Sequence, residues 1–372
     1  MRLHDRYLFR ELLTPLAYCL GGFLIFWLSY FFFTQLGEMQ ERQFNLLDAG
    51  EFALAQLPEF LVMVLPIALL LALLYALTHH ARHHEITALR AAGISLWRLC
   101  APYFVVGLVT SGIYFALNEI AVPQAAAWSE QIKSRHVKTT GVPVAINSSK
   151  GGFRNARAHR LWQISEFDAT TGTMVNPNVT WTLPDGSWRA LRAERGVHTN
   201  GIWIFYNAQL FAQASANSRL LPIAGTNLLA MPEFDETPQR ILRGLKFSDT
   251  QSLRGSRSAD IPLADLWAYL RDNPDLSVVD AQVLLTKFYG RLAAPWTCLV
   301  VVLIAIPFGA PSGRRNLFYG VAGSIFIGFA FFVLQQVCPA LGMNGFLPAW
   351  LAAWLPNFIF AAAGIVLTQR TR

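Results

Sequence analysis

The stretch LVMVLPIALLLALLYALTHHARHHEITALRAAGIS (residues 61–95) decides the fold class of this chain. It begins with an uncharged apolar run close to the roughly 20 residues that cross a bilayer. Four histidines follow within six residues, and then Ile86 and Leu89 share one helical face before Gly93. Because glycine commonly follows the last turn of a helix, we predict a membrane span and then a short amphipathic helix over about 82–92.

Apolar runs of this kind recur along the chain, three before one long polar block and three after it. Hydrophobic residues make up 53% of the chain and charged residues 14%, against about 25% charged residues in an ordinary soluble domain. The sequence therefore predicts a polytopic α-helical membrane protein with six transmembrane helices. The predicted spans run over about 12–36, 58–78, 97–121, 290–309, 317–338 and 347–368.

The polar block has the pattern of an all-β domain. Segments rich in β-branched and aromatic residues, such as GIWIFYNAQLF (201–211), are separated by turn signals such as Asn200-Gly201. Short strands at this spacing indicate a sandwich or a barrel. We expect three parts: 1–124 with helices 1–3, 125–275 with the inserted β domain, and 276–372 with helices 4–6. The other predicted strands are HRLWQISEFD (159–168), NVTWTL (178–183) and WRALRAER (188–195).

Basic residues in short loops predict the orientation, since such loops stay on the cytoplasmic side of a membrane. The loops 79–98 and 310–316 and both chain ends are basic, whereas the loop 37–57 holds only Arg42 against four acidic residues. Both termini and the short helix are therefore predicted to be cytoplasmic. The β domain is predicted to lie on the other side of the membrane.

The motifs of soluble enzymes and of metal sites do not occur in the sequence. There is no GxxxxGK[ST] stretch for ATP, no GxSxG stretch, and no zinc-binding spacing among the four cysteines. The histidines have helical i, i+4 spacing, but no third ligand lies nearby in the sequence. We therefore expect no catalytic site, no metal site and no cofactor, and we interpret the histidines as a basic rim at the membrane boundary.

Ionisable residues inside spans usually mark a pathway for an ion or a substrate. Glu119 and Arg291 lie at the outer ends of predicted spans, so we expect both to be interfacial rather than buried. The absence of a carboxylate at mid-span argues against a proton- or sodium-coupled transporter. The short helix fits two interpretations, a surface helix on the bilayer or a docking helix for a soluble partner.

Three stretches and the overall layout resemble one known family. DRYLFREL (5–12), HHEITALRAAGIS (83–95) and YGRLAAPWTCLVVVLIAIPFG (289–309) are similar to stretches of the LptF/LptG (YjgP/YjgQ) permeases of the lipopolysaccharide-export ABC transporter. The resemblance covers the whole chain, and FLPAWLAAWLPNFIF (346–360) is more similar to the LptG branch. It implies a bacterial inner-membrane protein whose inserted domain is a periplasmic β-jellyroll.

The resemblance also implies partners and a function. Such a permease works with a second permease of the same family, a dimer of cytoplasmic ATPase subunits of the LptB type, and periplasmic bridge components of the LptC and LptA types. Together they extract lipopolysaccharide from the inner membrane and pass it through the β domain toward the outer membrane. By position, Glu85 is the family's glutamate that meets the ATPase, with Ile86, Leu89 and Arg90 as its neighbours.

The resemblance further implies that the first and fifth spans form lateral gates of a lipid cavity. Here both are rich in phenylalanine, a composition that also suits an ordinary lipid-facing surface. The candidate gate and cavity residues are Phe23, Phe26, Tyr30, Phe33, Phe326, Phe329 and Phe332.

One departure from the family concerns the phosphates of the lipid. Phe31, Gly37 and Glu38 stand where characterised LptG-type permeases carry lysines that attract lipid A phosphates. Other basic residues could replace them, the second permease could supply the charge, or the lipid could differ. The candidate replacements are Arg42, Lys133, Arg135 and Lys138, for which a solvated charged face outside the membrane is the alternative.

Two other functions remain open from the residues alone. The first is a stand-alone secondary transporter of an amphipathic substrate, which co-purification with a cytoplasmic ATPase would contradict. The second is a non-transporting membrane sensor or scaffold whose β domain binds a ligand, and a neighbouring gene for a second permease would argue against it.

Overall fold

The computed structural model describes residues 3–41, 44–135, 151–155, 158–168, 171–183, 187–213, 221–247, 262–273, 276–309 and 317–370. The chain divides into two compact units. The helical unit comprises Met1–His136, Ser258–Leu263 and Gln282–Arg372, and the β unit comprises Val137–Arg257 and Ala264–Ala281.

Long apolar helices build the helical unit. Within the described ranges, six helices are long and apolar enough to cross a membrane, which confirms the predicted architecture. In chain order the helical elements are α1 (Leu3–Glu41), α2 (Leu46–Arg82), α3 (Glu85–Ala91), α4 (Leu96–Ala116), a π-helical turn (Leu117–Ala121), α5 (Val122–Arg135), α6 (Pro238–Phe247), α7 (Leu263–Asp272), α8 (Val278–Ala293), a 3₁₀ turn (Ala294–Trp296), α9 (Thr297–Gly309), α10 (Leu317–Met343) and α11 (Ala349–Arg370).

The third and fourth spans are longer than the sequence predicts. α4 continues through the π-helical turn into α5, so that the third span extends to Lys133. α8 continues through the 3₁₀ turn into α9, so that the fourth span begins at Val278 rather than near residue 290. The part of α8 before residue 290 mixes polar and apolar side chains, and a search for continuous apolar runs does not recognise it as a span.

α2 and α9 form the centre of the helical unit. Leu69, Leu73 and Leu77 of α2 and Val301 of α9 are completely buried in one shared core. In the apolar windows of the second and fourth spans 67% of the residues are buried within the chain, against 11% in the first span and 22% in the fifth. α1 and α10 therefore keep most of their apolar surface for lipid or for another subunit.

The 3₁₀ turn between α8 and α9 contains Pro295, which has no N–H group to donate to the preceding turn. The carbonyl oxygen of Ala293 accepts a hydrogen bond from Asn357 of α11, and that of Pro295 accepts one from Ser111 of α4, both at 2.8 Å. Polar side chains of two neighbouring helices therefore satisfy buried backbone groups at this interruption.

The β unit contains an antiparallel sheet, which confirms the predicted β domain. Its described strands are connected in the order β1-β2-β5-β6-β8-β7-β4-β3, and β9 pairs with β8. The positions of the strands along the sequence do not predict this order. The strands are β1 (Gly151–Asn155), β2 (Arg160–Ile164), β3 (Glu166–Asp168), β4 (Thr173–Val175), β5 (Asn178–Thr182), β6 (Trp188–Arg192), β7 (Arg195–Thr199), β8 (Ile202–Gln213) and β9 (Leu221–Met231).

The long strand β8 organises the sheet. Its first half pairs with β7, its second half pairs with β6, and β9 runs along most of its length. The predicted turn at Asn200-Gly201 joins β7 to β8, and both residues have the positive φ angles, 53° and 80°, of a two-residue hairpin. Asn207, with φ of 50°, lies where the pairing changes from β7 to β6, and its side chain donates to Glu194 at 2.6 Å.

Large aromatic side chains fill the core of the β unit. Trp162, Phe167, Trp203 and Phe205 are fully buried there. α6 adds Ile241 to the same core, so the domain that the sequence predicts as all-β also contains a helix packed on its sheet.

Candidate functional site

The short helix predicted over 82–92 is α3, which comprises Glu85–Ala91. It begins later than predicted because the backbone of His84 is left-handed, with φ of 56°, and ends the helical path of α2. After α3, Gly93 has φ of +85°, a conformation that glycine adopts without strain. α3 is thus a separate helix, flanked by His84 and Gly93, which both have positive φ angles.

One side of α3 is anchored to the helical core. Ile86 is 2% exposed and belongs to the core that α2, α4 and α9 share, and Leu89 packs against that core. Ile86, which the sequence predicts as a neighbour of Glu85 in the coupling helix, therefore faces inward. Its role in this position is to hold α3 against the membrane helices.

The other side of α3 is open. Thr87, Ala88 and Ala91 are exposed, and Arg90 is half-buried. Small side chains along an exposed helix let another protein approach the backbone closely. Of the four predicted coupling residues, Glu85, Leu89 and Arg90 are partly accessible and Ile86 is buried.

The carboxylate of Glu85 is bound within the chain. Its Oε2 lies 2.7 Å from Nδ1 of His80, and its Oε1 accepts a hydrogen bond from the hydroxyl of Tyr7 at 3.4 Å. The side chain of His80 is 2% exposed and that of Glu85 is 34% exposed. Because a carboxylate can only accept, Nδ1 of His80 carries the proton of this bond. One carboxylate therefore joins α1, α2 and α3.

The four histidines have different environments and form no common site. His80 is buried because it extends the buried helical face of Leu73 and Leu77, whereas His83 and His84 are exposed. The ring of His79 lies 4.6 Å from that of His83. In the described part of the chain, no group of three or more His, Cys, Asp or Glu side chains is placed to hold a metal ion. The sequence interpretation treated the four histidines alike and missed His80, although the buried periodicity of α2 distinguishes it.

A groove of about 690 Å³ opens between α1 and α2, and Tyr7, which contacts Glu85, is one of its lining residues. Its lining is amphipathic and includes Tyr7, Arg10, Glu11, Tyr18 and Tyr75. Tyr7 therefore contacts Glu85 and also lines an open surface of α1.

The aromatic candidates for lipid contact lie on the two least buried helices. Phe23 and Phe332 pack at the margin of the helical core. The other five are each at least 60% exposed: Phe26, Tyr30 and Phe33 on α1, and Phe326 and Phe329 on α10. The structure thus presents most of this predicted set on open apolar faces.

The candidate phosphate contacts that the structure describes are engaged in ion pairs. Lys133 Nζ lies 3.2 Å from Glu38 Oε1, and Arg135 Nη1 lies 3.0 Å from Glu51 Oε2. Lys133 also lies over the ring of Phe52, 5.2 Å from its centroid. These contacts tie the end of α5 to the adjacent ends of α1 and α2. The remaining candidates, Arg42 and Lys138, lie outside the described residues.

Arg291 is buried, which corrects the expectation that it is interfacial. It is 1% exposed, and it donates to Glu119 Oε2 at 3.0 Å and to the carbonyl oxygen of Asn118 in the π-helical turn. The second oxygen of Glu119 accepts the backbone N–H of Leu263 at 2.7 Å. The expectation was wrong because it placed Arg291 at the start of a span that in fact begins at Val278.

Comparison with known families matches nearly the whole chain to a family model. Residues 6–370 match the family model described as lipopolysaccharide export system permease LptF/LptG. This range includes α2–α11 completely and nearly all of α1. No curated protein matches the chain significantly.

Proposed function

Because this chain belongs to the LptF/LptG family of lipopolysaccharide export system permeases, we propose that it links ATP hydrolysis by a separate cytoplasmic subunit to the extraction of lipopolysaccharide from the inner membrane. The family match over residues 6–370 is the observation that carries this proposal. The family is one of membrane permeases rather than of catalytic enzymes, and the sequence has no P-loop, so the ATPase site belongs to the partner.

α3 is the element that docks on the ATPase, which we take to be an LptB-like dimer. This docking role is supported by the two different sides of α3. One side is buried, with Ile86 in the core, and the other side is exposed, with Thr87, Ala88 and Ala91. A helix held this way moves together with the membrane helices when a partner displaces it. Glu85, Leu89 and Arg90 lie at the margin between the two sides.

The exposed aromatic faces of α1 and α10 contact the acyl chains of the lipid. They are the apolar surfaces that the chain itself covers least. A second permease of the same family, facing these helices, would enclose the lipid between two such surfaces. Each methylene group that such a wall keeps from exposure to water after extraction saves about 0.8 kcal/mol.

The phosphates of the lipid reach Lys133 and Arg135 only in competition with Glu38 and Glu51. Both cations lie at the end of α5, at the membrane boundary opposite to α3 in the helical unit. A phosphate carries more negative charge than a carboxylate, so exchange of partners at Lys133 is favourable where the lipid is anionic.

The distribution of basic residues supports an orientation with both termini and α3 in the cytoplasm and the β unit in the periplasm. In this orientation the β unit receives the lipid after extraction and passes it to bridge components of the LptC and LptA types. The parts 1–124, 125–275 and 276–372 then serve gating and coupling, lipid transfer, and gating, respectively.

Reconstitution tests this function. The chain is co-expressed with its paired permease and its ATPase subunit, purified in nanodiscs, and assayed for ATP hydrolysis with and without lipopolysaccharide. We expect the ATPase subunit to co-purify and the lipid to change its rate. Lipid movement without any ATPase subunit would indicate a secondary transporter instead, and lipid binding with neither effect would indicate a sensor or scaffold.

A further inference from the structure

We propose that Glu85 is an internal junction between α3 and two membrane helices, and that His80 and Tyr7 are positioning residues that hold its carboxylate. This inference rests on the proposed docking role of α3 and deepens it. It changes the role of Glu85 from a side chain that only faces a partner to one that transmits the movement of α3 to α1 and α2.

The contact between His80 and Glu85 is short, and its imidazole partner is buried. Nδ1 of His80 lies 2.7 Å from the carboxylate, and the imidazole is 2% exposed and packs beside the ring of Tyr7. Nε2 of His80 is buried and has no hydrogen-bond partner among the described residues. The orientation of the ring therefore depends on Glu85, because no second polar contact fixes it. A low local dielectric strengthens such a bond.

Tyr7 supplies the contact to α1. Its hydroxyl reaches Oε1 of Glu85 at 3.4 Å, and its ring packs edge-on against His80 with centroids 5.8 Å apart at 62°. The two oxygens of one carboxylate are thus taken by two different membrane helices. Tyr7 lies in the first turns of α1, where Leu8 and Leu12 are buried in the core shared with α2 and α4, so a movement of these turns is passed on to that core.

Folding alone does not require this polar pair. A leucine at position 80 would continue the apolar face formed by Leu69, Leu73 and Leu77 without burying a polar ring. Burial of a polar group costs free energy unless a hydrogen bond compensates it, and here Nε2 receives no compensation from the described residues. The pair thus carries a cost that a purely structural position would avoid.

Three substitutions of His80 separate a positioning role from a space-filling role. The amide nitrogen of asparagine in His80→Asn lies near the place of Nδ1 and can still donate to Glu85. His80→Gln moves the amide farther out, and His80→Leu removes the donor but fills the space. The measured quantity is the amount of lipopolysaccharide released per ATP hydrolysed in nanodiscs that contain the complete complex.

If the junction transmits movement, His80→Asn retains most of the release per ATP, whereas His80→Gln and His80→Leu lose it although the ATPase subunit still co-purifies. Retention in His80→Leu and loss in His80→Asn would overturn the inference, because side-chain volume alone would then decide. Equal release in all three variants would overturn it as well. His83→Leu, at an exposed neighbouring histidine, is the matched control and keeps the wild-type value.

Tyr7→Phe tests the link to α1 separately. It removes one hydroxyl, and we expect a smaller loss of release per ATP than in His80→Leu, with no additional loss when it is combined with Glu85→Gln. Additive losses would contradict a shared junction. Tyr18→Phe is the control on the same helix. A wild-type complex whose ATPase does not respond to lipid would instead refute the proposed function, before any variant is compared.

Discussion

Nδ1 of His80 lies 2.7 Å from Oε2 of Glu85, although the first side chain is buried and the second is one-third exposed. The two residues are five positions apart and belong to different helices, because the left-handed backbone at His84 ends α2 and allows α3 to begin at Glu85. A buried residue of the helical unit therefore contacts a residue on the surface that we propose to face the cytoplasm.

Replacement of Glu85 is expected to uncouple the complex without preventing its insertion. Glu85→Ala removes hydrogen bonds to a charged group, which contribute about 1.5–3 kcal/mol in proteins, or roughly ten- to hundredfold in an equilibrium. We expect lipid-stimulated ATP hydrolysis to fall by at least about tenfold. The measurement is ATPase activity of the nanodisc complex with and without lipopolysaccharide.

The control for this substitution is Glu41→Ala, which removes an exposed carboxylate from the other end of α1. It should insert equally well and keep the response to lipid. Normal export by Glu85→Ala would contradict the assignment of α3 as the coupling element.

Loss of one partner of the Arg291–Glu119 ion pair is expected to destabilise the helical unit strongly. Arg291→Met leaves the carboxylate of Glu119 beside the buried space, and breaking a buried pair in this way costs about 3–5 kcal/mol. The double variant with Glu119→Gln should recover part of that loss, since the amide still accepts the N–H of Leu263. Thermal unfolding in detergent measures both effects.

Arg271→Met, at an exposed arginine of α7, serves as the control and should leave the unfolding temperature nearly unchanged. Equal stability of wild type and Arg291→Met would mean that the contact to Glu119 contributes nothing to folding.

Close packing of α11 on α9 predicts opposite effects for two glycine substitutions. A Cβ atom at Gly364 would lie 2.8 Å from the carbonyl oxygen of Leu303, so Gly364→Ala forces backbone atoms apart and should cost about 1–3 kcal/mol. No heavy atom lies within 4 Å of the same position at Gly22, so Gly22→Ala should stabilise α1 by up to about 1 kcal/mol. An unchanged or higher unfolding temperature for Gly364→Ala would contradict this packing.

Much of the fold could be predicted because membrane spans and strands leave local patterns. Uncharged runs such as 61–78 locate helices, and the Asn200-Gly201 pair locates a hairpin, without any knowledge of distant residues. The order of the strands could not be predicted, because β8 chooses β6, β7 and β9 as neighbours through long-range packing of residues such as Trp203 and Phe205.

The candidate site was predictable only where its residues are neighbours in the sequence. Glu85 and α3 were located by a local motif, but the burial of Arg291 depends on Glu119, which is 172 residues away. The pairing of His80 depends on the left-handed backbone at His84, a conformation that histidine adopts more often than most residues but still rarely. Ion pairs of Lys133 and Arg135 likewise join helices that are distant in the sequence.

The ion pair between Lys133 and Glu38 predicts how this permease responds to the phosphates of its lipid. Glu38 lies 3.2 Å from Lys133 and neutralises part of its charge. Glu38→Gln should therefore strengthen binding of phosphorylated lipid A, and Lys133→Gln should weaken it, each by about 0.2–1 kcal/mol, as is common for partly exposed ion pairs. Both differences should shrink as the salt concentration rises, since ions screen exposed charges. Binding of labelled lipid A with and without its phosphates, measured at low and at high salt, separates this effect from a change in apolar contact. Glu51→Gln is the matched comparison at Arg135, which pairs at 3.0 Å. An unchanged preference for phosphorylated lipid in all three variants would mean that Lys133 and Arg135 do not bind the phosphates. That role would then belong to the second permease.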